Sequence, residues 1–145
     1  MIYTAVITCW YGAWPWYIPY FLHSCGFNKD IRFFIFTENS AAGLMVPANV
    51  SLVHTTMNQL KNKFSEKLGF KVCIDFPYKL CDFKPAYGFL FQEYLSNYQY
   101  WAHCDLDIIW GNMGSFLTDD FLSSYDYISL RHDYTTGCFS VYKNC

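Results

Sequence analysis

The first apolar run of the chain constrains the fold most, because it has no polar face. It is an unbroken row of β-branched and apolar side chains, Tyr3, Thr4, Ala5, Val6, Ile7 and Thr8. A strand of this composition is buried on both faces, as in a parallel sheet that helices cover. Residues 31–37 and 50–55 have the same character, and segments with helical spacing lie between these strands. We therefore predict an α/β fold with a mostly parallel sheet flanked by helices.

Two helices are predicted in the first half of the chain. Residues 15–25 carry large apolar side chains at near-helical spacing, and Pro19 is expected to kink this helix or to mark its start. A second helix is indicated over residues 57–68 by an apolar stripe, Met57, Leu60, Phe64 and Leu68. We expect the lysines and the glutamate on its other side to form a solvated face.

The second half of the chain is predicted to continue the alternation of strands and helices. A long helix is expected over residues 82–95, with Asp82 as N-cap and Pro85 in the first turn, where a missing N–H costs no hydrogen bond. The other predicted elements are two extended segments, one short helix and two strands. They cover residues 98–104, 107–110, 115–122, 125–130 and 138–142 in turn.

Composition and charge exclude several classes of protein. The chain has 145 residues, 53% hydrophobic and 15% charged, which predicts one globular domain over residues 1–145. A net charge of −2 gives no basic field for nucleic acid, and seven cysteines without a CxxC pair argue against a zinc site. The sequon at Asn49 is interpreted as fortuitous. Without a recognisable signal peptide or an apolar span of about 20 residues, we expect a cytoplasmic protein, with peripheral membrane association left open.

Two aspartates carry the chemistry that the sequence suggests. Asp105 and Asp107 directly follow an apolar run, and only Leu106 separates them. In extended backbone they project to the same side, so both carboxylates can converge on one ion at a strand end. Such oxygen ligands suit Mg²⁺ or Mn²⁺, which complete their shell with water and substrate phosphates. The structural alternative is that one aspartate caps a turn and the other meets a lysine or an arginine.

The aspartates lie in a stretch that resembles GT-A glycosyltransferases, in which a polar, often basic helix leads into a strand ending in DxD. The chain is most similar to small bacterial glycosyltransferase-like proteins of surface-polysaccharide type. Residues 8–11, 36–39 and 136–144 also match this pattern, so the resemblance spans nearly the whole chain. Its main stretches are Pro77-Tyr78-Lys79-Leu80-Cys81-Asp82-Phe83-Lys84-Pro85-Ala86-Tyr87-Gly88 and Tyr100-Trp101-Ala102-His103-Cys104-Asp105-Leu106-Asp107-Ile108-Ile109-Trp110-Gly111.

The resemblance implies a GT-A-like, Rossmann-like nucleotide-binding domain with a metal and a sugar nucleotide. Asp107 would bind Mn²⁺ or Mg²⁺, and Asp105 would lie near both the metal and the ribose. Lys84 would reach a phosphate, although the broader pattern more often has an arginine a residue or so further along. Gly137 would let the backbone approach the donor sugar, or it forms an ordinary turn.

The resemblance also suggests residues for the base and the acceptor. His132 and Asp133 would bind acceptor hydroxyls or supply a base, or they lie in a solvated loop. His103 is expected to be a hydrogen-bonded core residue. The nucleotide base would contact backbone groups where the first and second strands end. An aromatic ring there would stack on the nucleotide base or else pack in the core. These residues are Thr8, Trp10, Tyr11, Glu38 and Asn39.

The function that these residues imply is transfer of a sugar from a nucleoside diphosphate sugar to a saccharide or lipid-linked saccharide acceptor. GT-A enzymes generally continue into an acceptor-binding half, so we expect that this chain is the nucleotide-binding part and is truncated relative to that pattern. One alternative is a non-catalytic nucleotide- or sugar-binding module. Another is a Mg²⁺-dependent phosphoesterase, which would need further ligands such as Glu38, Asp75 or the pair His132 and Asp133.

Overall fold

The computed structural model describes residues 4–145, and it shows an α/β fold with one six-stranded sheet between helices. Tyr3, which the sequence places in the first strand, lies outside the described residues. The sheet order is β3-β2-β1-β4-β6-β5. The strands are β1 Thr4–Trp10, β2 Ile31–Thr37, β3 Val50–His54, β4 Tyr100–Cys104, β5 Tyr127–Ser129 and β6 Phe139–Lys143.

The sheet is mixed, so the prediction of a mostly parallel sheet is met in part. β3, β2, β1 and β4 are mutually parallel, whereas β6 runs antiparallel to both β4 and β5. The connection between β5 and β6 explains the reversal, because residues 130–138 are fewer than the dozen or so that a parallel crossover requires. The site-bearing half of the sheet is nevertheless parallel, so β1 and β4 end at the same edge.

The first two helices match their predicted positions. α1 spans Ile18–Phe27, and Pro19 lies in its first turn, so this proline marks the start of the helix and not a kink. α2 spans Met57–Leu68, as the apolar stripe predicts. A capping box of Thr56 and Gln59 begins α2, and Gly69 ends it in the left-handed conformation with φ 74°.

The long helix predicted over residues 82–95 is wrong. A 3₁₀ helix Pro77–Ala86 is followed by two single-turn helices, α3 Tyr87–Leu90 and α4 Gln92–Leu95. Asp82 caps nothing, and its carboxylate accepts a hydrogen bond from Lys79 at 3.0 Å. Pro85 lies inside the 3₁₀ helix, where its missing N–H and its ring oppose α-helical hydrogen bonding.

The predicted elements near the C-terminus differ in their bounds. Residues 107–110 form no strand, although they were predicted as extended. The helix predicted over residues 115–122 is instead a 3₁₀ turn Met113–Ser115 and a short α5 Asp119–Ser123, which Thr118 caps. Both C-terminal strands are present, with β5 shorter than predicted.

The core lies on both faces of the sheet, as the unalternating strands predict. On one face, Val6, Phe33 and Ile35 pack with α1 and with the segment that follows β4. On the other face, apolar residues of the same strands pack with α2, α3 and α4. These two layers bury most of the large aromatic side chains of β2, so much of the aromatic excess is packing.

The polar side of α2 is only partly solvated, which corrects that expectation. Lys63 forms a salt bridge with Glu93 and lies 4.7 Å from the ring centroid of Phe91. Lys67 donates to the same carboxylate at 2.7 Å. The two lysines therefore tie α2 to α4.

In the described residues, no helix is long and apolar enough to cross a membrane.

Candidate functional site

A cleft of about 630 Å³ lies where β1 and β4 end, at the carboxyl edge of the parallel strands. Its walls come from the exit of β1, the 3₁₀ helix Pro77–Ala86, the residues after β4 and the turn before β6. The residues that line it are Thr8, Cys9, Trp10, Tyr11, Tyr17, Pro77, Tyr78, Leu80, Cys81, Lys84, Tyr87, Cys104, Asp105, Leu106, Asp107 and Gly137.

The end of β4 is held firmly, and this sets the positions of the two aspartates. The Thr8 hydroxyl donates to the Cys104 carbonyl at 2.8 Å, and the Asp105 N–H donates to the Cys138 carbonyl at 2.9 Å. Leu106 is 2% exposed and packs into the core beside α1. Asp105 and Asp107, on either side of this anchored side chain, both line the cleft.

Asp105 has a positively charged partner within the protein. Lys84 is 7% exposed, and its ammonium group forms an ion pair with the Asp105 carboxylate. The same ammonium donates to the Gly137 carbonyl at 2.8 Å. The structural alternative from the sequence is thus realised for Asp105, which meets a lysine. Lys84 also lines the cleft, where the resemblance places it near a phosphate.

Asp107 is in a different state from Asp105. Its side chain is exposed, and it forms no hydrogen bond or ion pair with any residue of the described range 4–145. A carboxylate of this kind can bind a cation without first giving up a protein partner. The pair therefore offers one free carboxylate and one that a lysine already neutralises.

The two aromatic rings proposed to stack on a base have different environments. Tyr11 is 6% exposed and belongs to the core on the α2 side, so core packing is its observed role. Its buried hydroxyl finds no hydrogen-bond partner in the described part of the chain, and burial raises its pKa. Trp10 is half-buried, and its indole N–H donates to the Ala13 carbonyl at 3.0 Å. Stacking of either ring on a base stays a prediction.

Four of the predicted site residues do not line the cleft. Asn39 donates to the Gly12 carbonyl at 2.6 Å and supports the loop after β1, and Glu38 is exposed beside it. Asp133 accepts a bidentate ion pair from Arg131 at 2.9 and 3.0 Å, and His132 is exposed in the same loop. The roles proposed for these four residues stay predictions.

His103 lies in the core, as expected. It is 1% exposed, and its Nε2 is 3.4 Å from the Tyr142 hydroxyl. Burial and the nearby charge of Lys84 lower the pKa of His103 to about 4, so the ring is neutral near neutral pH.

Comparison with known proteins identifies a family. Residues 6–145 match the profile described as Family of unknown function (DUF6625). The chain belongs to this family. Neither the curated proteins nor the solved structures contain a significant match to it.

Several residues that line the cleft of this DUF6625 protein were not predicted as site residues, among them Tyr17 and Tyr78. Burial and the negative charges of Asp107 and Asp105, which line the same cleft, raise the pKa of Tyr17. Tyr78 is 78% exposed at the rim of the cleft. Tyr78 lies in a stretch that resembles GT-A glycosyltransferases, and this resemblance could have identified it as a site residue. No sequence pattern could have identified Tyr17, because its position depends on where α1 begins.

The donor set of the cleft fits a hard divalent cation that shares its ligands with a substrate. Among residues 4–145, no group of three or more His, Cys, Asp or Glu side chains could hold a metal alone. Asp105 and Asp107 provide two carboxylates in a cleft that opens to solvent. Mg²⁺ commonly binds through one or two carboxylates together with water and phosphate oxygens. The two aspartates suit that mode and not a closed protein cage.

Proposed function

We propose that this chain is a GT-A-like, metal-dependent glycosyltransferase domain. In this proposal it binds a nucleoside diphosphate sugar in the cleft and transfers the sugar to a hydroxyl of a saccharide or lipid-linked saccharide. The supporting observation is that Lys84, Asp105 and Asp107 converge in one cleft at the carboxyl ends of β1 and β4. Open α/β sheets bind ligands at this edge of their parallel strands.

The size and lining of the cleft support a ligand of this kind. Its volume of about 630 Å³ lies within the range of about 300–1,000 Å³ that is usual for small-molecule sites. Apolar and aromatic side chains provide most of the wall, and the charged groups are those of Lys84, Asp105 and Asp107. Such a division suits a ligand with a flat base or sugar ring and a charged diphosphate.

The charged residues have complementary roles in the proposal. Asp105 and Asp107 would hold Mn²⁺ or Mg²⁺, which supplies neutralisation of the charge that develops on the leaving diphosphate. Lys84 would donate to a phosphate oxygen as a point charge. Its ammonium group already lies in the cleft, where Gly137 and Asp105 hold it, so a phosphate oxygen can reach it there. A lipid-linked acceptor would place the reaction at the cytoplasmic face of a membrane.

A metal titration tests the proposal. Isothermal titration calorimetry with UDP and GDP should show binding with Mn²⁺ or Mg²⁺ that chelator abolishes. Asp107→Asn keeps the shape of the side chain but removes a ligand charge, so metal-dependent affinity should fall about tenfold or more, equivalent to ~1.4 kcal/mol. Asp120→Asn is the control, because Asp120 is exposed on α5 and does not line the cleft.

Thermal denaturation separates a functional from a structural role of Asp107. The melting temperature of Asp107→Asn should equal or slightly exceed that of the wild type, because repulsion between the two carboxylates is reduced. A large loss of stability with nucleotide binding intact would favour a structural role. Failure of UDP and GDP to bind under any condition would refute the proposal.

One observation favours a second candidate, a binding module without catalysis. Lys84 already neutralises Asp105, so the cleft could hold a phosphate through this lysine without a metal. The same calorimetry distinguishes the two, since a binding module of this kind would bind nucleotide equally in chelator and would not hydrolyse the donor. The phosphoesterase alternative gains no support, because Glu38, Asp75 and the pair His132 and Asp133 do not line the cleft.

A further inference from the structure

The geometry points to Lys84 as the residue that makes metal binding depend on the diphosphate. Its ammonium group and a divalent cation are alternative counter-ions of Asp105. Metal alone therefore binds weakly, and the diphosphate relieves the competition by drawing the ammonium group towards its own oxygens. This inference rests on the proposed function for its physiological ligand, but its central claim concerns metal alone.

The position of Lys84 shows that its charge belongs to the cleft. Only 9% of its side chain is exposed, so the ammonium group cannot move into bulk water without a change in the surrounding structure. Its two acceptors lie at the ends of two neighbouring strands, since Asp105 follows β4 and Gly137 precedes β6. The 3₁₀ helix Pro77–Ala86 brings the lysine to both, with Leu80 and Tyr87 buried on either side of it.

The number of donors explains why Lys84 can serve two partners. An ammonium group has three N–H donors, and Lys84 uses two of them on Asp105 and Gly137. No residue in the described range accepts the third. A phosphate oxygen in the cleft can take that donor and, as it approaches, weaken the hold of the ammonium group on Asp105.

The balance of charge predicts the direction of the coupling. Asp105, Asp107 and Lys84 together carry a formal charge of −1, and the cation of Lys84 lies against one of the two carboxylates. An incoming divalent cation is repelled by this ammonium group and finds only Asp107 free. A diphosphate adds negative charge that attracts both cations, so metal and diphosphate should each strengthen binding of the other by the same factor.

The test titrates Mn²⁺ alone into the protein, without nucleotide, by calorimetry or by electron paramagnetic resonance of free Mn²⁺. Lys84→Met should bind Mn²⁺ about tenfold more tightly than the wild type, a size within the usual range of coupling between sites. Lys84→Arg keeps the charge and should stay as weak as the wild type. Lys79→Met is the matched control, because Lys79 lies in the same 3₁₀ helix but pairs with the exposed Asp82 outside the cleft.

The outcomes separate this inference from the proposed function. If Lys84→Met binds Mn²⁺ no more tightly than the wild type, the competition is refuted, even when nucleotide binding depends on metal. If Lys84→Met binds Mn²⁺ more tightly but UDP and GDP never bind, the competition stands and the proposed function fails. If Lys84→Met does not fold, Lys84→Gln takes its place in the same titration, and an Mn²⁺ affinity no tighter than that of the wild type overturns the inference.

Discussion

Gly88→Ala should destabilise the protein, although alanine is the better helix former. Gly88 lies in α3, and a Cβ atom at this position would be 2.6–2.7 Å from three atoms of the Trp101 indole. Real Cβ contacts are not this short, so the indole or the α3 backbone must move. Trp101 is 7% exposed and stacks on Tyr142 with ring centroids 4.3 Å apart and an interplanar angle of 10°.

The expected loss of stability follows from two opposing effects. Overpacking of a core usually costs about 1–3 kcal/mol, because side chains leave their rotamers or the backbone shifts. Replacing glycine by alanine in a helix returns roughly 0.5–1 kcal/mol. Trp101 is paired with Tyr142 across β4 and β6, so its ring cannot move without disturbing that stack. We expect a net destabilisation of roughly 1–2 kcal/mol, or about 3–7 °C in melting temperature for a chain of this length.

Thermal and urea denaturation of Gly88→Ala measure this loss, and Gly137→Ala is the matched control. A Cβ atom at Gly137 would meet no heavy atom within 4 Å, so that variant should stay within about 0.5 kcal/mol of the wild type. Near-ultraviolet circular dichroism should also change for Gly88→Ala, because Trp101 moves. An unchanged or raised stability would show that α3 shifts freely and that the close packing of Gly88 is not needed.

Three further variants test other parts of the structure. Burial raises the pKa of Glu93, but hydrogen bonds from Lys63 and Lys67 outweigh this effect and lower the pKa to about 2. The stability that Glu93 contributes should therefore be complete above about pH 4.5 and lost as the pH falls towards 2. The difference in free energy of unfolding between wild type and Glu93→Gln should therefore shrink over that interval, and a difference that grew on acidification would contradict the ion pair. Asn49→Ala should cost about 1–3 kcal/mol in urea denaturation, because the two N–H donors of the buried amide are shared among three backbone carbonyls within hydrogen-bond distance. A neutral effect would mean that water replaces the amide. Thr56→Ala should cost ~1 kcal/mol by removing the cap of α2, with Thr56→Ser close to the wild type; equal losses in both would point to the methyl group.

Local patterns in the sequence were sufficient for the elements that depend on local physics. The apolar run at the start of the chain predicts β1 buried on both faces, and helical spacing predicts α2 with its bounds. Asp105 and Asp107 could be placed at a strand end, because an apolar run stops immediately before them. These features depend on residues that are close together in the chain, because near neighbours determine the hydrophobic period of an element and the caps of a helix.

The tertiary structure decided the features that join distant residues. The meeting of Lys84 with Asp105 joins a 3₁₀ helix to a strand end, and the close approach of Gly88 to Trp101 likewise joins α3 to β4. β6 also lies antiparallel between β4 and β5, so strands that pair in the sheet are not always consecutive in the sequence. No local pattern determines these contacts, because packing of the whole sheet against its helices selects which side chains meet. The sequence by itself thus located the two carboxylates, and the packed fold determined that a buried lysine neutralises one of them and leaves the other free.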